Sequence, residues 1–222
     1  MELKTANLRS LRNKMKGKFI TIEGCEGAGK SAQLRLLTEY LTEHGVEFIS
    51  TREPGGTPVA EKIRAVILDA DNKGMADECE ALLYAAARAE HLKNKVIPAI
   101  EAGKLVICDR FIDSSFAYQV YARGLDFSIV ERANFFAIEN CMPDATLFLN
   151  ISPKDAFKRK GGADKKDRIE LEGLEFHERV YGGYLSLCER YPDRIIKIDC
   201  SGEKAQTHAN ILAALRERKI IE

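Results

Sequence analysis

Residues 18–31 read KFITIEGCEGAGKS, and the fold follows from this one stretch. Lys18–Glu23 is short, rich in β-branched residues and followed by glycine, as a buried strand is. Gly24, Cys25, Glu26, Gly27, Ala28, Gly29, Lys30 and Ser31 together fit GxxxxGK[ST], the loop that wraps a nucleotide triphosphate. The residue types suit that chemistry. The glycines let backbone N–H groups turn inward and approach phosphate oxygens closely. The helix that follows adds partial positive charge at its N-terminus. Lys30 is placed to reach the β- and γ-phosphates, and the Ser31 hydroxyl to bind Mg²⁺. The loop therefore defines a nucleotide-triphosphate site with magnesium, but it does not say what receives the phosphate.

Outward from the loop, strands alternate with helices. Gly29–His44 carries Leu34, Leu36, Leu37 and Leu41 at helical spacing, and Gly45 closes it. Val46–Ser50 reads as a second strand, and Thr57 as the N-cap of a helix through Leu68. Residues 77–101 form a long helical stretch that Pro98 bends or divides. A third strand, Leu105–Cys108, precedes helical patterns over about 113–122 and 127–140. A fourth strand covers Ala145–Ile151 and the last Arg194–Asp199, with helices over about 153–160, 171–190 and 203–217. Parallel crossovers follow from this alternation. The expected fold is α/β, of the P-loop NTPase type: a five-stranded parallel sheet, helices on both faces, and a mobile lid over about 158–168. A single P-loop domain is expected to run over 17–222, behind a basic extension at 1–16 without expected order. That extension carries Lys4, Arg9, Arg12, Lys14 and Lys16 against Glu2. It has the composition of a transit peptide, and reads more simply as a frayed terminus or an upstream start, with Met15 as the natural beginning.

The bulk numbers narrow the class. The 222 residues contain 34 basic and 34 acidic side chains, so the chain lacks the net positive charge of a general nucleic-acid binder. No apolar run approaches the length of a membrane span. The six cysteines, at 25, 79, 108, 141, 188 and 200, form no CxxC pair, so they read as reduced thiols of a cytoplasmic protein. At the end of the apolar run Leu105–Cys108, Asp109 stands where ligands gather in open α/β sheets. It is a candidate to orient Mg²⁺, or else one half of a strand-end ion pair. Arg110 beside it offers a planar fork to a phosphate.

Five motifs in order now make a pattern: GCEGAGKS at 24–31, TREPGGT at 51–57, AAARAEH at 85–91, DRFIDSSFAYQ at 109–119 and DRIE at 167–170. The chain resembles thymidylate kinases, particularly the bacterial kind, over about residues 17–200. The resemblance implies transfer of the γ-phosphoryl group of ATP to dTMP, and a homodimer. It places Glu26 near the acceptor's 3′-hydroxyl, and Arg52, Glu53 and Pro54 near the acceptor phosphate and metal, with Arg110 on that phosphate. It stacks Tyr84 on thymine, gives Arg88 a hydrogen bond to the thymine carbonyl, and puts Ser115 at the base, with Gln119 in the same substrate-binding segment. Tyr118 falls at the sugar, where its ring would crowd a ribose 2′-hydroxyl and so select deoxyribose. On the residues alone, Tyr84 and Tyr118 read equally as helix core, and Arg52 as a surface charge.

Two departures from the family pattern stand out. A glycine-rich stretch often follows the AYQ triplet, whereas this chain has Val120-Tyr121-Ala122-Arg123-Gly124. The lid arginine of bacterial relatives falls on or near Ala163 here, and no arginine lies between 160 and 167. Arg159, or a lysine among Lys160, Lys165 and Lys166, is the expected replacement cation for the transition state. The catalytic set is therefore Lys30, Arg110, Arg159 and Glu26. The alternative is another P-loop nucleoside or nucleotide kinase. A GTP-binding switch is disfavoured by the lack of an NKxD motif.

Overall fold

The computed structural model describes residues 17–160 and 167–222, with the backbone alone at Lys160. Much of the expected lid, including Ala163, Lys165 and Lys166, and all of the basic extension lie outside the described residues. Five parallel strands form one sheet in the order β2-β3-β1-β4-β5. They are β1 (Phe19–Glu23), β2 (Phe48–Arg52), β3 (Leu105–Asp109), β4 (Ala145–Asn150) and β5 (Ile195–Asp199). β1 is wholly buried and lies between β3 and β4, with Ile22 opposite both Asp109 and Leu147. The chain turns one way from β1 toward β2 and later crosses back to β4. That reversal opens a crevice at the carboxyl ends of the strands. Alternate side chains of each central strand go to opposite faces. Phe19, Val106, Cys108 and Phe148 join one apolar core, and Ile20, Ile22, Ile107 and Leu147 the other.

The helices begin and end where their local chemistry dictates. α1 (Lys30–Glu43) starts directly from the loop after β1, and Gly45 at φ 66° ends it with Gly45 N–H on the Thr42 carbonyl. α2 (Pro58–Leu68) is capped by Thr57, whose hydroxyl accepts from Ala60 N–H at 3.3 Å. α3 (Asp77–His91) does not stop before Pro98. It widens into a π-helical turn over Leu92–Val96 and resumes as α4 (Ile97–Glu101). The wider turn lets Ile97 N–H bond the Leu92 carbonyl, just before a proline that has no N–H to give.

After β3, α5 (Ile112–Ser115) also opens into a π-helical turn, Phe116–Ala122. The segment read as one helix over 127–140 is two, α6 (Phe127–Ala133) and α7 (Phe135–Asn140), broken at Asn134. The break has a cause: the buried Asn134 side chain is held between the Val130 carbonyl and Arg88. α8 (Pro153–Lys160), α9 (Leu174–Arg190) and α10 (Lys204–Glu217) complete the layers.

Candidate active site

One cavity of about 520 Å³ occupies the crevice above the carboxyl ends of the strands. On one side it is lined by the loop residues Glu26, Gly27, Ala28, Gly29, Lys30 and Ser31. Gly27 and Gly29 hold φ of 76° and 94°, conformations that L side chains rarely adopt. A Cβ on Gly27 would lie 2.8 Å from the Ala156 carbonyl oxygen, so the glycine also permits close contact with α8. Gly29 sits at the head of α1 with no side-chain cap, which leaves the first N–H groups of that helix without a capping side chain. Lys30 is nearly buried, and its ammonium donates to the Gly24 and Cys25 carbonyls at 3.1 Å each. Gly24 and Cys25 thus shape the loop from beneath rather than line the cavity. Burial, and then the nearby Arg110, lower the Lys30 pKa. Two cations held this close form a site prepared for an anion.

Arg110 stands at the far end of β3, in the left-handed region at φ 68°. Its guanidinium lies 5.2 Å from the Tyr118 ring centroid and reaches Glu26 at 4.0 Å. Burial opposes its charge, yet Tyr118, Tyr184, Asp109 and Glu23 together hold its pKa well above the ordinary value. Beside it, one carboxylate oxygen of Asp109, Oδ1, is buried without a hydrogen-bond partner. A lone pair left unsatisfied in a polar cleft fits a hydrated divalent cation, which would offer it a water or a direct bond. Ser31, exposed in the same cavity, fits as the second ligand.

The other wall carries Arg52, Glu53, Pro54, Tyr84, Ser115, Tyr118 and Gln119, together with Arg64. The loop after β2 is tied down by Glu53 N–H on the Asp109 carbonyl at 2.9 Å and by Arg64 on the Pro54 carbonyl at 2.9 Å. Arg52 is exposed and paired with both oxygens of Glu61, at 2.9 and 3.0 Å. The same Glu61 accepts from Gly56 N–H at 2.7 Å, so the TREPGGT loop closes on α2.

Arg88 is placed differently from its neighbours. It is 2% exposed and does not line the cavity. Its guanidinium donates to Glu53 Oε2 at 2.7 Å, Ser115 Oγ at 2.9 Å, Asn134 Oδ1 and the Phe111 carbonyl at 3.0 Å. A guanidinium has five N–H groups, so these four bonds leave one of them and brace the pocket from behind. Arg159 lines the opposite, β5 end of the cavity, where it donates to the Cys200 and Ser201 carbonyls at 2.7 and 2.9 Å. In the DRIE segment, Asp167 Oδ1 accepts from the backbone N–H groups of Ile169 and Glu170. Arg168 is buried against the Ile67 carbonyl and Glu80.

The family model described as Thymidylate kinase matches residues 22–211. The chain belongs to the thymidylate kinase family. It is 52% identical over 188 residues to a thymidylate kinase of Clostridium novyi, covering 84% of this chain and 92% of the relative. It is 47% identical over 205 residues to one of Halalkalibacterium halodurans, covering 91% of this chain and 98% of that one. Its fold matches the crystal structure of thymidylate kinase from Ehrlichia chaffeensis with a TM-score of 0.74 at 33% identity, over 90% of this chain and 98% of that chain. The thymidylate kinase assignment makes the protein a phosphotransferase acting on a nucleoside monophosphate.

Several polar groups around this thymidylate kinase site have partners distant in the sequence. Glu23, Ser114 and Tyr184 form a buried cluster beneath Arg110. Glu80 gathers Gln119, Arg123 and Arg168. His91 bridges Thr51 and Glu53 at 2.8 and 2.9 Å. An acid closing an otherwise apolar strand was the visible hint for Glu23. Nothing local marks Asn134.

Proposed function

We propose that the chain, acting as one domain over 17–222, transfers the γ-phosphoryl group of ATP to the 5′-phosphate of dTMP. The observation that carries this reading is that the triphosphate loop and the acceptor-side residues line a single cavity. Lys30 and the amides of 26–31 hold the ATP phosphates, and Ser31 and Asp109 hold Mg²⁺. When bound, the ion would neutralise part of the phosphate charge. Arg110, with Arg52 and Arg64, holds the acceptor phosphate. Glu26 accepts from the acceptor's 3′-hydroxyl. Tyr84 stacks on the base, Arg88 uses its remaining N–H on the base carbonyl, and Ser115 and Gln119 complete the pocket. Tyr118 crowds the 2′ position.

The acceptor phosphate is already anionic at neutral pH, so no general base is needed. The protein's contribution is to align two anions that repel in water and to neutralise them as they meet. Arg159 supplies the further cation, which requires it to leave the Cys200 and Ser201 carbonyls.

A cytoplasmic homodimer is part of this proposal. Among the described residues no helix is long and apolar enough to cross a membrane. Val59 and Val66 on α2, Leu82 on α3 and Phe135 and Phe136 on α7 are exposed, and these helices pack together. A second copy of the chain is the occupant that such a patch fits. A panel of nucleoside monophosphates with Mg-ATP tests the activity. dTMP should give the highest kcat/KM, and a higher value for any other acceptor would replace this reading with that of a related kinase.

A further inference from the structure

Beneath the cavity lies a polar cluster, Glu23, Ser114 and Tyr184, of which only Ser114 reaches the cavity lining. Glu23 ends β1, is fully buried and is absent from the cavity lining. Its Oε1 accepts from Phe111 N–H at 2.7 Å. Its Oε2 accepts from Ser114 Oγ at 2.6 Å and from Tyr184 O–H at 2.7 Å. Those two hydroxyls are also the acceptors for Arg110 Nη1, each at 3.3 Å. Glu23 therefore reaches Arg110 twice, through the backbone of the next residue and through both hydroxyls under the guanidinium.

We propose that Glu23 is a positioning residue for the acceptor site, orienting Arg110 toward the acceptor phosphate by fixing both its turn and the direction of the hydroxyl bonds beneath it. The inference rests on the function proposed above. The direction of the bonds carries it. A hydroxyl has one proton and two lone pairs. An ionised carboxylate has no proton, so it draws both the Ser114 and Tyr184 protons to itself and leaves their lone pairs toward Arg110, with no proton in the 2.9 Å contact between the two hydroxyls. A neutral group in the same place would donate into one hydroxyl and free that hydroxyl's proton to face the cation. Arg110 would then lose an acceptor. The turn needs holding as well, because Arg110 is one of two non-glycine residues with positive φ among the described residues.

The charge state of Glu23 is finely set. Burial and the Asp113 carboxylate push its pKa up to about 7, against Arg110, Ser114 and Tyr184, which favour the ion. The other charged or titratable groups bearing on it are the thiol of Cys108 and the guanidinium of Arg194, which is itself paired with Asp113 at 2.6 Å. The carboxylate is thus an electrostatic expense that the fold retains directly under the acceptor arginine.

The test compares wild type with Glu23→Gln, which keeps the shape and the acceptor for Phe111 N–H. Near pH 8 the dTMP KM of Glu23→Gln should rise about tenfold, the worth of a lost hydrogen bond to a charged group, while the ATP KM stays within about twofold. Toward pH 6 the ratio of the two dTMP KM values should fall toward one, because wild type becomes neutral there as well. The substrate phosphate, whose second ionisation lies near pH 6, affects both enzymes and cancels in the ratio. An unchanged dTMP KM, a ratio independent of pH, or an equal rise in the ATP KM would each overturn the proposal. If Glu23→Gln does not fold, Tyr184→Phe serves with the same readout and a smaller rise in dTMP KM; no rise overturns the proposal. Wild type failing to phosphorylate dTMP would instead defeat the functional reading, a result separate from all of these.

Discussion

Replacing Arg88 with methionine separates a structural role from a base-reading one. Methionine fills a similar volume but removes the charge and all four observed hydrogen bonds. Glu53 is 4% exposed and would lose its charged partner at 2.7 Å. Breaking one side of a buried ion pair costs about 3–5 kcal/mol, because the other charge stays buried without compensation. His91 still meets the second Glu53 oxygen at 2.9 Å, which places the cost at the lower end. For a chain of this length each kcal/mol lowers Tm by about 2–4 °C, so the fall should be at least about 6 °C. Differential scanning calorimetry reads it. Adding Glu53→Gln to Arg88→Met should recover roughly half of the loss, since a neutral amide needs no counter-charge. A Tm within about 2 °C of wild type, with only the dTMP KM raised, would show that Arg88 serves the base and that the buried network is not what holds it.

Three further changes probe other parts of the site. Asp109→Asn should move the Mg²⁺ concentration for half-maximal rate upward by about tenfold, as loss of an anionic contact to the ion requires; superimposable Mg²⁺ titrations would remove Asp109 from the metal site. Arg159→Ala should lower kcat by about tenfold or more with a smaller change in ATP KM, whereas a change in ATP KM alone would leave Arg159 at the β5 loop where it now stands. Glu23 has a folded pKa of about 7 against an ordinary 4.5, so its contribution to stability is fully present below pH 4.5 and is lost as pH rises to 7. The stability of Glu23→Gln relative to wild type should therefore improve between about pH 5 and pH 8, by on the order of 3 kcal/mol at most. Thermal melts at the two pH values check it, and a difference that does not move with pH would contradict a raised Glu23 pKa.

The strands and the loop were legible because their causes are local. β1, the glycines at 24, 27 and 29 and the head of α1 follow from adjacent residues, as does the Thr57 cap. The boundaries of the other strands were legible to within about two residues, the usual uncertainty of element ends. What escaped has long-range causes. The break at Asn134 comes from Arg88, 46 positions earlier in the chain. The Glu23–Tyr184 bond joins residues 161 positions apart. The first pair exists only once α3 meets the α6–α7 corner and the second once β1 meets α9, and no periodicity announces them. The same limit explains Arg88. Its helical spacing from Tyr84 puts both on one side of α3, yet only the packed structure reveals that its hydrogen bonds are largely spent on Glu53, Ser115, Asn134 and Phe111.

A crystal of the protein with dTMP and a non-hydrolysable ATP analogue tests most directly that two anion sites face each other in one cavity. The acceptor phosphate should be hydrogen-bonded to Arg110, the thymine should lie on Tyr84, and the γ-phosphate should sit over Lys30, close enough for in-line transfer. Thymidylate bound elsewhere, or bound here with Arg110 turned away from its phosphate, would contradict the account.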